Sequence, residues 1–211
     1  RGVRRCAHAR HRSATLPGVG PGLVLTATVA QLGMAAFAPG IDRFDGKAFG
    51  ARLVAYPLLM LVVPAWWWLR ARRAPAPSAP PWGAFTLVML PFLVDVTGNS
   101  LDLYDAVAWW DDVNHFANWA LLCGGLGLLL APRLSPAWVL VVAVTGLGAV
   151  LAIGWEVGEW VSFIRNGTEL DTAYEDTLGD EVLGTLGGLA AALVLAVARA
   201  RPGPLPTGHG E

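Results

Sequence analysis

The chain has 211 residues, of which 55% are apolar and only 15% charged, and its mean hydropathy is +0.50; a soluble domain carries about 25% charge. Fifteen Lys+Arg against 16 Asp+Glu leave a formal net charge of −1, which excludes a globally basic nucleic-acid binder, and the long apolar runs exclude disorder over most of the chain. The two cysteines, Cys6 and Cys123, make neither a disulfide framework nor a zinc site.

Residues 1–18 form a basic tail with Arg1, Arg4, Arg5, Arg10 and Arg12. Six apolar stretches then follow, each near the roughly 20 residues a spanning helix needs. They cover 19–38, 53–69, 82–101, 113–131, 137–160 and 181–198. The first ends in Ala36-Phe37-Ala38, which imitates a signal-peptidase site, but Pro39 and the length of the run argue for a retained span. Arg70, Arg72 and Arg73 close the second, and Pro75, Pro77, Pro80 and Pro81 prevent any helix from continuing. The third contains Asp95 and Asn99, and the fourth opens with His115 and Asn118. The fifth ends in Glu156 and Glu159, and the sixth is preceded by Asp176 and Asp180. Residues 199–211 are a short Pro/Gly-rich tail. The expectation is an all-α transmembrane bundle over 19–198, a multi-pass protein of the cell membrane in contact with lipid.

Lysine and arginine set the orientation. With both termini cytoplasmic, the inner segments hold 11 of the 15 cations, including Arg133, Arg199 and Arg201. The outer loops hold Arg43, Lys47, Arg52 and Arg165. Nine of the ten tryptophans then fall at span ends, where aromatic belts mark the interfaces.

Depth makes the polar residues informative. Asp95 sits about 20 Å along the third span from Trp82, at 1.5 Å per residue, in the outer half of a core about 30 Å thick. A charge at depth costs about 2.5–3.5 kcal/mol on insertion scales. Asp95, Asn99 and Asn118 are therefore candidate intramembrane polar residues that need function or pairing. His115, Glu156, Glu159, Asp176 and Asp180 reach the same outer level from three other segments. Asp111 and Asp112 precede His115 by four and three residues, Glu156 and Glu159 are three apart, and Asp176 and Asp180 four apart; such pairs share a helix face. Carboxylates with one imidazole suit a divalent metal ion, acid–base work or a proton relay. The candidate catalytic residues are His115, Glu156, Glu159 and Asp180; the candidate metal ligands are Asp112, His115, Glu156, Asp176 and Asp180. Gly154/Gly158 and Gly184/Gly188 form G-x-x-x-G pairs that let helices approach closely. Asn166-Gly167-Thr168 matches a glycosylation sequon.

As an ordered set, His115-Phe116, Trp155-Glu156-Val157-Gly158-Glu159-Trp160, Asp171-Thr172 and Asp176-Thr177-Leu178-Gly179-Asp180 before a Gly-rich last span resembles the YjdF-like bacterial membrane proteins over residues 82–198. It is similar, more distantly, to the VanZ-like family. The resemblance implies a bacterial plasma membrane and supports the motif set; it assigns no catalytic role. Three functions remain open: a membrane-embedded enzyme on a lipid or cell-envelope substrate, a non-catalytic lipid- or antibiotic-binding or partner protein, and a proton-coupled transporter.

Overall fold

The structure, a computed structural model, describes residues 19–38, 41, 44, 47–74, 79–162, 164–166 and 173–200. The basic tail with Cys6, most of the C-terminal tail, Arg43, Gly167 and Thr168 of the sequon, and Asp171-Thr172 lie outside the described residues. Among those described there is no strand. Seven helices follow in order: α1 (Val19–Phe37), α2 (Phe49–Ala71), α3 (Trp82–Ser100), the short α4 (Leu103–Ala106), α5 (Trp110–Leu130), α6 (Ala137–Ser162) and α7 (Ala173–Ala200). All but α4 are long and apolar enough to cross a membrane. The all-α bundle of six spans read from the sequence is the architecture observed.

Three helices start earlier than their apolar stretches, α5 by three residues at Trp110. α7 begins at Ala173 rather than 181, because Glu175 and Asp176 fall in its first turn, where the helix dipole favours acids. Asp180 is thereby a helical residue and not a loop charge. α2 begins at Phe49 rather than 53, which places Arg52 on the helix. Pro57 and Pro64 lie inside α2; neighbouring helices and local adjustment make this tolerable within a membrane.

Packing follows the inside-out logic of membrane helices. Leu23, Val54, Leu58, Val142, Val150 and Val194 point outward, while small residues take the contacts between helices. A Cβ on Gly188 would stand 3.2 Å from the Cα of Gly148 on α6. One on Gly187 would meet the Phe116 carbonyl oxygen and, at 2.9 Å, the Ala120 nitrogen on α5. The Gly184/Gly188 pair therefore seats α7 closely, as expected. Gly154 and Gly158 do not act this way: nothing lies within 4 Å of either added Cβ. They face away from the bundle on α6, so the expectation that this pair lets helices approach closely is corrected.

Cross-contacts fix the direction of each helix. Gly20 meets Thr86 and Gln31 bonds Thr97, so α1 and α3 run parallel. Gly125 meets Ala84 and Val88, so α5 runs against α3. Gly127 meets Leu195, and His115 faces Asp180, so α7 runs with α5. Arg199 closes one end by donating to the carbonyls of Leu134 (3.0 Å) and Ala131. The other end gathers the C-termini of α1, α3 and α6 with the N-termini of α2, α5 and α7, and there the polar residues meet.

Candidate functional site

The polar end encloses a cavity of about 410 Å³. Pro91, Phe92, Leu122 and Trp155 give it an apolar wall; Arg52, Tyr56, Asp95, Tyr104, Asp111, Asn114, His115, Asn118, Glu159, Asp176 and Asp180 are among its polar lining. On α5, residues 111, 114, 115, 118, 119 and 122 recur at helical spacing, and one helix face thus supplies six lining side chains. On α7, Asp176 and Asp180 occupy the face that continues below as Gly184, Gly187 and Gly188. Those glycines let the α7 backbone touch α5, and that contact holds Asp180 against His115.

Two polar groups share the cavity. The first is centred on Asp95. Its Oδ2 accepts from Tyr56 Oη at 2.6 Å and Arg52 Nη1 at 3.1 Å. Its Oδ1 accepts from Tyr104 Oη at 2.8 Å and Asn99 Nδ2 at 3.4 Å. Asn114 Nδ2 donates in turn to Tyr104 Oη, and Asn118 Nδ2 to Asn114 Oδ1 at 2.8 Å. Arg52 also stacks its guanidinium 5.6 Å from the Phe49 ring and 5.9 Å from the Tyr56 ring. Asp95, Asn99 and Asn118, read as intramembrane polar residues, are brought into one network by four helices. Burial, reinforced by the Asp95 carboxylate, pushes the Tyr104 hydroxyl far above the ordinary phenol range, so it remains a donor.

The second group is Asp111, His115 and Asp180. His115 Nε2 lies 3.6 Å from Asp111 Oδ1, and His115 Nδ1 lies 3.4 Å from Asp180 Oδ1. One donor atom from each residue can be chosen so that all lie within 4.8 Å of one another. This is the donor set that can hold an ion. The Asp180 side chain is only 5% exposed, and no hydrogen bond reaches its carboxylate among the described residues. His115 Nδ1 is also buried without a hydrogen-bond partner.

The remaining candidates separate. Glu159 and the exposed Asp176 line the cavity but stand outside the three-residue group. Glu156 is buried, and it is not part of the cavity lining. Asp112 is exposed and does not line the cavity; its neighbour Asp111 does. From His115, the i−4 residue faces the group and the i−3 residue turns outward.

Sequence reasoning passed over Arg52, Tyr56, Tyr104 and Asn114 as site residues. Three signals were present. Arg52 and Tyr56 are four apart, Asn114 precedes Asn118 by four, and Asp95 required a cation at its own depth. Tyr104 carried none, because α4 is a single turn within a connection.

Among the described residues, two cations line the cavity, and both are committed. Arg52 pairs with Asp95, and Lys47 bonds Asp105 at 2.7 Å. Residues 22–201 match the family described as "Predicted membrane protein (DUF2238)", and the chain belongs to that family. The match is consistent with the YjdF-like resemblance and gives no support to the VanZ-like one. No curated protein and no solved structure matches the chain.

Proposed function

We propose that this membrane protein is an enzyme acting at its polar end on the head of a lipid or lipid-linked envelope substrate. One observation carries the reading: an imidazole flanked by two carboxylates, at 3.6 and 3.4 Å, in the wall of a cavity with both polar and apolar lining. Such a cavity suits an amphiphile, with the chain against Phe92, Leu122 and Trp155 and the head toward His115. His115 and Asp180 are the reactive centre. Glu159 is the further acid–base group within the lining, and Asp176 stands at the rim. Glu156, buried on α6 outside the cavity lining, works by positioning. Arg70, Arg72, Arg73, Arg133 and Arg199 lie at the opposite end, so the positive-inside bias puts the cavity on the extracytoplasmic face.

Transport fits the packing less well. Beyond the cavity, Cys123, Leu140, Val144, Ala191 and Ala192 pack as an apolar core between α5, α6 and α7. The test is lipid mass spectrometry on membranes carrying the wild-type protein, His115→Ala, or neither. A lipid species that changes with the wild type and reverts with His115→Ala supports the enzyme. A change that survives in His115→Ala supports a binding role instead and overturns the catalytic reading.

A further inference from the structure

We infer that Asp111, His115 and Asp180 bind one divalent first-row metal ion, of the zinc or manganese type, on the cavity wall. The inference adds a cofactor to the enzymatic reading, and the geometry supports it without that reading.

Asp180 has a side chain more than nine-tenths buried, and among the described residues no donor reaches its carboxylate. A buried carboxylate needs a counter-charge or hydrogen bonds. Facing it is His115 Nδ1, itself buried and without a hydrogen-bond partner. The two atoms make no hydrogen bond, and their separation is 3.4 Å. It equals the spacing of two ligands on one ion, since bonds of about 2.0–2.2 Å meeting at about 90–110° put ligand atoms roughly 3–3.5 Å apart. The third donor, from Asp111, lies within 4.8 Å of both.

The donor chemistry narrows the ion. Magnesium and calcium favour all-oxygen shells; one imidazole with two carboxylates and no thiolate suits zinc, manganese or iron(II). Three protein ligands leave a coordination position free, as in catalytic rather than structural sites, and it faces the cavity.

The experiment uses the full chain in detergent, stripped with chelator, then titrated separately with Zn²⁺ and Mn²⁺. Bound metal is counted by mass spectrometry after desalting. The expected result is one ion per chain, with affinity lowered at least about tenfold in Asp180→Asn and His115→Ala. Asp112→Asn should match the unmutated protein, whereas Asp111→Asn should not. Unchanged metal content in Asp180→Asn overturns the site. Should the variants misfold, Co²⁺ added to the unmutated protein decides: visible ligand-field absorption displaced by Zn²⁺ supports the site, and its absence overturns it. Lipid conversion by the stripped protein would remove the metal and leave the enzyme. Stoichiometric metal with no lipid conversion would do the reverse.

Discussion

Asp95 and Asp180 are the same residue type, line the same cavity and reside on membrane-spanning helices, yet their surroundings are opposite. Asp95 accepts from Arg52, Tyr56, Tyr104 and Asn99, and both oxygens are used. Asp180 accepts from no donor among the described residues and faces an unbonded ring nitrogen. The protein has the means to satisfy a carboxylate at this depth, and it applies them to one only. The Asp95 network joins α2, α3, α4 and α5 and acts as a structural tie. His115 Nδ1, buried without a hydrogen-bond partner beside Asp180, is a local departure from the rule that buried polar groups are bonded, and such departures concentrate at functional sites.

The comparison breaks most visibly at Arg52. Arg52→Met leaves Asp95 buried beside two phenols and an amide but without its cation. Removing one partner of a buried pair typically costs about 3–5 kcal/mol. A large fall in thermal midpoint in detergent is expected, and the double variant Arg52→Met/Asp95→Leu should regain much of it, since replacing the whole pair removes the stranded charge. A double variant no better than the single would remove Asp95 from the centre of the tie.

Tyr104→Phe comes next. It deletes a donor to a charged group and takes away the acceptor for Asn114 Nδ2. Hydrogen bonds to charged groups contribute about 1.5–3 kcal/mol, and that is the expected loss. Native-state hydrogen exchange should show it as faster exchange at the start of α5 and around α4, with the lower half of α7 unaffected.

These two residues also mark the limit of what the sequence conveyed. Six helices were legible because a bilayer permits few alternatives. Asp95 was legible because charge at its depth needs a reason. Arg52 was not, since an apolar window starts α2 four residues late and leaves Arg52 in a loop. Tyr104 lay in a connection whose geometry depends on tertiary contacts. The ambiguity between Asp111 and Asp112 has a sharper cause. Positions three and four residues before His115 are both on its face, so spacing cannot choose between them; only the roll of α5 against α7 does. The glycines follow the same logic. Gly154/Gly158 and Gly184/Gly188 have the same spacing, and only the second pair has a helix against it.

Lys47 and Asp105 provide a smaller contrast. Their ion pair is short, 2.7 Å, but Asp105 is 59% exposed. Exposed pairs contribute about 0.2–1 kcal/mol and are screened by salt. Lys47→Met should therefore shift the midpoint slightly, and the shift should shrink further in high salt. A loss as large as that of Arg52→Met would mean that the pair clamps α4 over the cavity.

The smallest stability effect is expected at the most buried of these carboxylates, and it discriminates best. If Asp180 is kept for a ligand, the metal-free fold gains nothing from its charge. Asp180→Asn removes a buried anion and leaves a neutral amide of the same size beside His115. In chelator-treated protein the midpoint should stay level or rise, because a buried unpaired charge is costly. Added Zn²⁺ should then raise the midpoint of the unmutated protein, because a ligand that binds only the folded state stabilises it, and leave Asp180→Asn where it was. Stability retained while ligand response is lost is the signature of a residue held for function against the interest of the fold. Were Asp180→Asn to lose as much as Arg52→Met in the absence of metal, Asp180 would be a second structural tie, and the contrast with Asp95 would collapse.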